Sequence, residues 1–363
     1  VLFSYPPVGY EDNWLHEVLI EILAVDMARI DNVQPRLRWP ACIPQIHREA
    51  LRKKSGLRDR RSIFLDRYEA LSAKDRTRVH DAMSRHNAFP AIFDDGEPCI
   101  SISDLPREMQ DAIKSLFEFS FGLLTDLGLR DRNYRRLYDQ LDSKVCAFCG
   151  VESLDAPGQK REALDHYLPI ATYPFAGVNF RNLSPMGTKC NSRYKLRQDI
   201  LVDPNTGNRR ACCDPYNSAE ILLSLKASRP FEGLRVGLVT CPEWVIQWEG
   251  GDPEKLQTWE SVFAISERYR ESSLNPYFRG WIDHFCQWAA LPRHNVGSPE
   301  ALRDVLSEYV DTVVPGIVAE AAFLKRATFQ MLGEHCNDTE EGRRVFDWLR
   351  EQILERRALN ASL

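Results

Sequence analysis

No apolar run in this 363-residue chain reaches the roughly eighteen residues that a bilayer-spanning helix needs, which excludes a helical membrane anchor. Nor does a basic stretch followed by an apolar one open it: Val1-Leu2-Phe3-Ser4-Tyr5 runs straight into Pro6, so no secretory signal is expected. Regularly spaced cysteines are lacking too. Ten are scattered along the length, with Cys146/Cys149 and Cys212/Cys213 as the close pairs. That usage suits a reducing cytoplasm and one metal knuckle better than a disulfide framework. There is no internal repeat and no low-complexity tract. An overall positive charge is missing as well: the net charge is −5, so any surface for nucleic acid must be local. The remaining composition, 44% hydrophobic and 27% charged, is that of an ordinary globular chain long enough for two or three domains.

The expected fold class is α+β, mainly helical. Residues 1–140 read as helical: Trp14, Leu15, Val18, Leu19, Ile22 and Leu23 recur at helical spacing. Residues 62–84 form a charged helical stretch with a break and restart at Ser72. Asp104-Leu-Pro106 resembles a helix start, with Asp104 as cap, and Gly128 is a natural stop. An arginine-rich helix then leads to Cys146. Residues 141–225 carry the chemistry described below. In residues 226–363, Gly233–Val239 and Glu243–Trp248 read as strands, Gly250-Gly251-Asp252-Pro253 as a turn, Glu254–Glu271 as a helix, and the rest as helical. The contexts of Trp244, Trp248, Trp259, Trp281 and Trp288 favour core packing over base stacking.

Two basic stretches stand out. Between Arg181 and Arg210, seven cations (Arg181, Lys189, Arg193, Lys195, Arg197, Arg209, Arg210) face Asp199 and Asp203, a local excess of five. The other runs through Arg48, Arg52, Lys53, Lys54, Arg58, Arg60 and Arg61. Either could hold a phosphate backbone, and the plain alternative for both is a solvated surface.

Four pieces of sequence lie within fifty residues: Cys146-Ala-Phe-Cys149, Leu164-Asp165-His166-x-x-Pro169, Asn182-Leu183-x-Pro185, and Cys190-Asn191-x-x-x-Lys195. Phosphodiester hydrolysis needs an activated water and charge relief on the phosphate and the departing oxygen. His166 is a candidate base, since an imidazole near its ordinary pKa is substantially neutral at physiological pH. Asp165 and Asn191 are oxygen donors suited to Mg²⁺ or Mn²⁺ rather than zinc. On a regular strand Asp165 and His166 point to opposite faces, so the strand is expected to end, kink or bulge there. On a helix starting near Cys190, Cys190 and Asn191 point about 100° apart, one toward the knuckle and the other toward the cleft.

The composite pattern resembles the HNH endonuclease family, whose core is a ββα-metal fold, over about 55 of the 363 residues. The resemblance implies a central ββα-metal module flanked by helical N- and C-terminal regions. It makes His166 the general base of a metal-dependent DNA endonuclease, with Asp165 and Asn191 holding the catalytic cation. Asn182 would orient the His166 ring through its side-chain carbonyl, and Lys195 would contact a phosphate, with Lys189, Arg193 and Arg197 as neighbouring DNA contacts. Members of the family usually leave 5′-phosphate and 3′-hydroxyl ends. Zinc-bearing members carry a second Cys-x-x-Cys, whereas Gly187 stands at that position here. Cys146, Cys149 and Cys190 therefore need a fourth zinc ligand from Cys213 or Cys212, with Cys213 the one expected. Otherwise the zinc is lost and the thiols pack as small apolar groups. Asn182 has a plain reading as a turn cap and Lys195 as a solvated helix residue. The organisation is similar to bacterial defence nucleases that work with a partner such as an ATPase or a sensor. The alternative is a binding or scaffold subunit that keeps the ββα shape without catalysis.

Overall fold

A computed structural model describes residues 2–94, 96–159, 164–236, 239–314 and 321–361. The fold is α+β and mainly helical. The N-terminal helices are α1 (Trp14–Asp31), a single turn α2 (Arg48–Leu51), α3 (Ser55–Glu69), α4 (Ala73–His86), α5 (Arg107–Asp126) and α6 (Leu129–Gln140). The helical spacing in α1 puts Leu15, Val18, Leu19, Ile22 and Leu23 into the core. Ser72 caps α4 by accepting a bond from Asp75 N at 3.2 Å, which separates α3 from α4 as expected. α5 starts one residue after Pro106. Asp104 instead accepts from Ser101 N (2.9 Å) in a capping box on the preceding turn. Gly128, at φ +66°, reverses the chain between α5 and α6.

The strands are short. β1 (Leu164–His166) pairs antiparallel with β2 (Leu183–Pro185), β3 (Leu222–Ser224) with β6 (Gln247–Glu249), and β4 (Arg235–Val236) with β5 (Val239–Thr240). The strand expected over 233–239 is thus two short strands joined by residues 237–238, which lie outside the described residues. The strand expected at Glu243–Trp248 forms only near its end, where a partner (β3) exists. Beyond β6 come α7 (Pro253–Phe263), α8 (Ile265–Tyr269), a π-helical turn into α9 (Asn275–Ala289), α10 (Pro299–Thr312), α11 (Ala322–His335) and α12 (Glu340–Ala361). Asp252 caps α7. The one helix expected over 254–271 breaks at Ala264, which sits at φ +48°. Trp259 is buried and donates to Phe148 O at 2.9 Å, while Trp244 donates to Asn275. Among the described residues no helix is long and apolar enough to cross a membrane.

Two hydrophobic cores flank residues 145–216. One is built from α1, α3, α4, α5 and α6 and takes in Leu164, Phe175, Val178, Phe180 and Leu183. The other is built mainly from the C-terminal helices and takes in Cys146, Phe148, Cys149, Tyr167, Leu168 and Cys190. The N-terminal strap is woven into the same region. Leu2 N donates to Ala147 O (2.8 Å), and the Tyr5 hydroxyl donates to Pro185 O (2.8 Å) while accepting from Ala147 N (3.0 Å). Tyr269 reaches in from the opposite side to Cys149 O (2.6 Å). The N-terminal strap thus reaches the short β1–β2 pair at Pro185 and, like Tyr269, the cysteine turn beside it.

The basic stretch between Arg48 and Arg61 is not an open phosphate surface. Arg61 makes two 2.6 Å bonds to fully buried Asp26. Arg52 pairs with Glu49, Lys54 with Asp126 and Arg58 with Asp59, while Arg60 lies over the Phe119 ring. Asp26, Asp126 and the Phe119 ring, all distant in sequence, engage Arg61, Lys54 and Arg60, while Arg52 and Arg58 pair with local acids.

Candidate active site and thiol cluster

β1 ends at His166, the position where the strand is expected to end, kink or bulge; Asp165 and His166 themselves stay in regular register with β2. Leu164 and Leu183 are buried in the N-terminal core and fix the register, Asp165 opposite Ser184 and His166 opposite Leu183. The half-buried His166 ring rests against Phe121 of α5, with centroids 4.5 Å apart. Its Nε2 lies 2.8 Å from Gly177 O. A carbonyl can only accept, so Nε2 carries the proton and Nδ1 keeps its lone pair. Burial drives the His166 pKa down to about 4; the Gly177 bond and Asp165 oppose the shift, while Lys195 and Arg130 add to it. The ring is neutral at physiological pH.

Asn182 does not orient this ring. Its Oδ1 accepts from Leu168 N (2.6 Å), and its Nδ2 donates to Leu168 O (3.0 Å) and Ala176 O (3.3 Å). The fully buried amide stitches the loop that presents Gly177. The ring's acceptor is a main-chain carbonyl, and Asn182 acts one step behind it.

Lys195 also differs from expectation. It is 1% exposed, and its Nζ lies 2.9 Å from Asp165 Oδ2, so it is neither solvated nor free for phosphate. The approach is off the line of a hydrogen bond, and Asp165 Oδ2 stays buried with a charge partner but no directional bond. Cys190–Lys195 is π-helical, closed by Leu196 N to Asn191 O at 2.8 Å and ended by Leu196 at φ +50°. Such wide turns are uncommon and concentrate at functional sites. Asn191 stands one turn before Lys195, half-buried, and its amide has no hydrogen-bond partner among the described residues. An unsatisfied carboxylate oxygen and an unengaged amide fit a hard divalent cation. The Lys195 ammonium already offers Asp165 a charge.

The cysteines form a compact cluster. Cys149 N (3.2 Å) and Gly150 N (2.7 Å) both donate to Cys146 O, and Gly150 at φ +65° turns the chain back so that Cys146 N donates to Glu152 O (2.8 Å). The sulfurs of Cys146, Cys149 and Cys190 lie within 4.8 Å of one another, all buried. Hydrogen bonds from Cys146 and Cys190 hold the Cys149 thiol well below its usual pKa, while burial pushes Cys146 up. Three converging sulfurs can hold a thiophilic metal such as zinc. Cys213 is not among them. Its sulfur lies against Lys255 O (3.8 Å), and the neighbouring Cys212 N is tied to Phe93 O (3.0 Å), which pins this segment away from the cluster.

Of the seven cations between Arg181 and Arg210, four are committed internally. Arg181 pairs with Asp214 (2.5 Å), Lys195 with Asp165, and Arg209 and Arg210 donate to main-chain carbonyls. Lys189, Arg193 and Arg197 are exposed, without an ion-pair partner among the described residues. Lys189 and Arg193 are four apart on one helical face. A surface cavity of about 490 Å³ between β3 and α11 contains none of these groups.

Several contributors carried no sequence signal: Gly177 through its carbonyl, Phe121 through its ring, and Glu152 and Arg268 beside the thiols. Arg268 Nη1 is 3.3 Å from Cys190 Sγ. Comparison with family models, curated proteins and solved structures finds no match to this chain.

Proposed function

We propose that the chain is a metal-dependent endonuclease of the HNH type acting on DNA, with β1, β2 and the Cys190–Lys195 segment as its ββα-metal module. What supports this reading is that the end of β1 meets the Cys190–Lys195 turn through the Asp165–Lys195 pair, and that these two pieces of chain carry three groups suited to the chemistry. These are an imidazole with its Nδ1 lone pair kept available by the Gly177 bond, a carboxylate oxygen lacking a directional bond, and an amide lacking a partner among the described residues. Asp165 and Asn191 would hold Mg²⁺ or Mn²⁺, which when bound supplies charge relief on the phosphate and the departing oxygen. His166 Nδ1 takes the proton of the attacking water as its oxygen bonds to phosphorus. The departing O3′ is protonated from solvent, leaving a 5′-phosphate and a 3′-hydroxyl. Gly177 holds the ring, Phe121 shields one side of it, and Asn182 holds the loop behind Gly177. Lys189, Arg193 and Arg197 meet neighbouring phosphates.

The test is cleavage of plasmid and linear DNA by the full chain with Mg²⁺ or Mn²⁺. His166→Ala lowers the rate by roughly 10²–10⁴ while thermal unfolding is preserved. Cutting at the parental rate by that variant would remove His166 from the role. The Lys195–Asp165 pair favours a second reading, a non-catalytic scaffold in which an ammonium satisfies the carboxylate permanently. Failure of every divalent cation to bind or to support cleavage is the result that selects it.

A further inference from the structure

We infer that Glu152 is the fourth ligand of a metal site formed with Cys146, Cys149 and Cys190, and that Arg268 is its buried counter-charge. Three thiolates fall one short of the closed tetrahedral set that structural zinc takes. Glu152 Oε2 lies 3.9 Å from Cys149 Sγ, on the side of the cluster where Gly187 passes. A Cβ built on Gly187 would sit 2.6 Å from that same oxygen and 2.8 Å from Glu152 Cδ. A side chain at position 187 and the present Glu152 carboxylate therefore exclude one another. The glycine leaves the volume that the carboxylate enters.

Glu152 also accepts from Lys189 N (2.9 Å) and Cys190 N (3.3 Å), capping the helical turn that carries Cys190. A carboxylate offers about four lone-pair directions. Two backbone bonds leave capacity for a metal, and they hold the carboxylate against the turn that carries Cys190. Arg268 completes the charge balance. It is buried, with Nη1 3.3 Å from Cys190 Sγ, Nη2 3.6 Å from Glu152 Oε2, and its guanidinium over the Tyr194 ring at 4.3 Å. Three thiolates and a carboxylate around a divalent cation leave two negative charges, and one buried arginine touching both ligand types offsets one of them. This inference does not depend on the nuclease reading, since it concerns the anchor of the hairpin and not the chemistry at Asp165 and His166.

The experiment is metal analysis of the full-length protein, its cobalt(II)-substituted form, and competition with a chelator. The parent is expected to hold one zinc, with X-ray absorption giving three sulfur neighbours and one oxygen or nitrogen. Glu152→Gln, which keeps an acceptor for the backbone caps, is expected to bind zinc on the order of 100-fold more weakly and to shift the cobalt d–d bands. Glu152→Ala combined with Gly187→Cys is expected to restore tight binding with four sulfur neighbours, while Cys213→Ser leaves metal content unchanged. The assignment is overturned by a parent that takes up neither zinc nor cobalt, by a Glu152→Gln protein with parental affinity and spectrum, or by metal loss in Cys213→Ser. Should Glu152→Gln not fold, the double variant decides: a folded protein without metal counts against Glu152, and four sulfur neighbours count for it.

Discussion

Lys195 Nζ and Asp165 Oδ2 lie 2.9 Å apart where β1 meets the π-helical turn, with the lysine 1% and the carboxylate 18% exposed. The pair joins two pieces of chain thirty positions apart and gives the carboxylate a resident positive charge. A divalent cation held by Asp165 and Asn191 competes with that ammonium or shares the carboxylate with it. Lys195→Met keeps the length of the side chain and removes the charge. Leaving a half-buried carboxylate without its partner is expected to cost about 2 kcal/mol, less than the roughly 3–5 kcal/mol for a fully buried pair. Added Mg²⁺ is expected to raise the melting temperature of Lys195→Met more than that of the parent, because binding only to the folded state stabilises it. An equal magnesium response in both proteins would show that lysine and cation do not meet at Asp165.

Asn182 makes three bonds to the main chain of Leu168 and Ala176, and each of its polar atoms is buried. Asn182→Ala leaves one N–H and two carbonyls to find other partners, at a cost of about 3 kcal/mol by the usual penalty for orphaned buried groups. The loop then no longer fixes Gly177 O against His166. Cleavage by the variant is expected to lose kcat with little change in KM, alongside a lower melting temperature. A parental kcat in a destabilised protein would confine Asn182 to folding.

The parts of this site legible in the sequence are those whose partners are near in sequence. Cys146 and Cys149 are brought together by a single turn. Asp165 and His166 are adjacent, and Cys190 and Asn191 share one helical turn, so local patterns and their resemblance to a family motif were enough to single them out. What spacing could not supply were contacts made across the fold. Lys195 is an ordinary helix residue until Asp165 is placed beside it. Gly177 contributes a carbonyl that any residue would offer, and so leaves no mark in the sequence. Glu152 and Arg268 are separated by more than a hundred positions and meet only at the thiols. The stretch from Arg48 to Arg61 read as a charged surface partly because Asp26 and Asp126, which pair with Arg61 and Lys54, lie on other helices. Residues 233–239 and 243–248 read as full strands, yet the ladders that form, β4 with β5 over two residues and β3 with β6 over three, are too short for periodicity to fix their limits.

Two histidines away from the site tie stability to pH. Burial lowers the His16 pKa from 6.5 to about 3 and the His86 pKa from 6.5 to about 4; the Ile100 carbonyl bonded to His86 Nε2 opposes the latter shift. Both rings bind protons more readily in the unfolded chain. The stability they confer is therefore complete above pH 6.5 and falls as pH drops through 6.5 toward 4 for His86 and toward 3 for His16, on the order of 3 and 5 kcal/mol respectively at the acid limit. Urea denaturation at pH 7.5 and pH 5 is expected to show a lower midpoint in acid. His16→Leu removes one titrating ring, so its midpoint should move less between the two pH values. A drop in midpoint identical to the parent's would mean that His16 is already accessible to protons in the folded state.

The three uncommitted cations give the last expectation. Lys189 and Arg193 occupy one face of the helical segment carrying Asn191, and Arg197 follows just past its end. Four other cations of the same stretch are spent on Asp165, Asp214 and main-chain carbonyls, so only these three project a field outward. Each phosphate neutralised on duplex DNA releases condensed counterions and adds about 0.9 to the slope of log K against log salt. Replacing Lys189, Arg193 and Arg197 together by Ala is expected to reduce that slope by about 3 if all three touch phosphate, with binding weakened similarly for all sequences. Melting temperature should be unaffected, because none of the three is buried or paired. Fluorescence anisotropy of a labelled duplex across a salt series, in Ca²⁺ if that cation does not support cleavage, measures the slope. An unchanged slope would move the DNA to another face of the molecule and leave these cations as ordinary solvated surface.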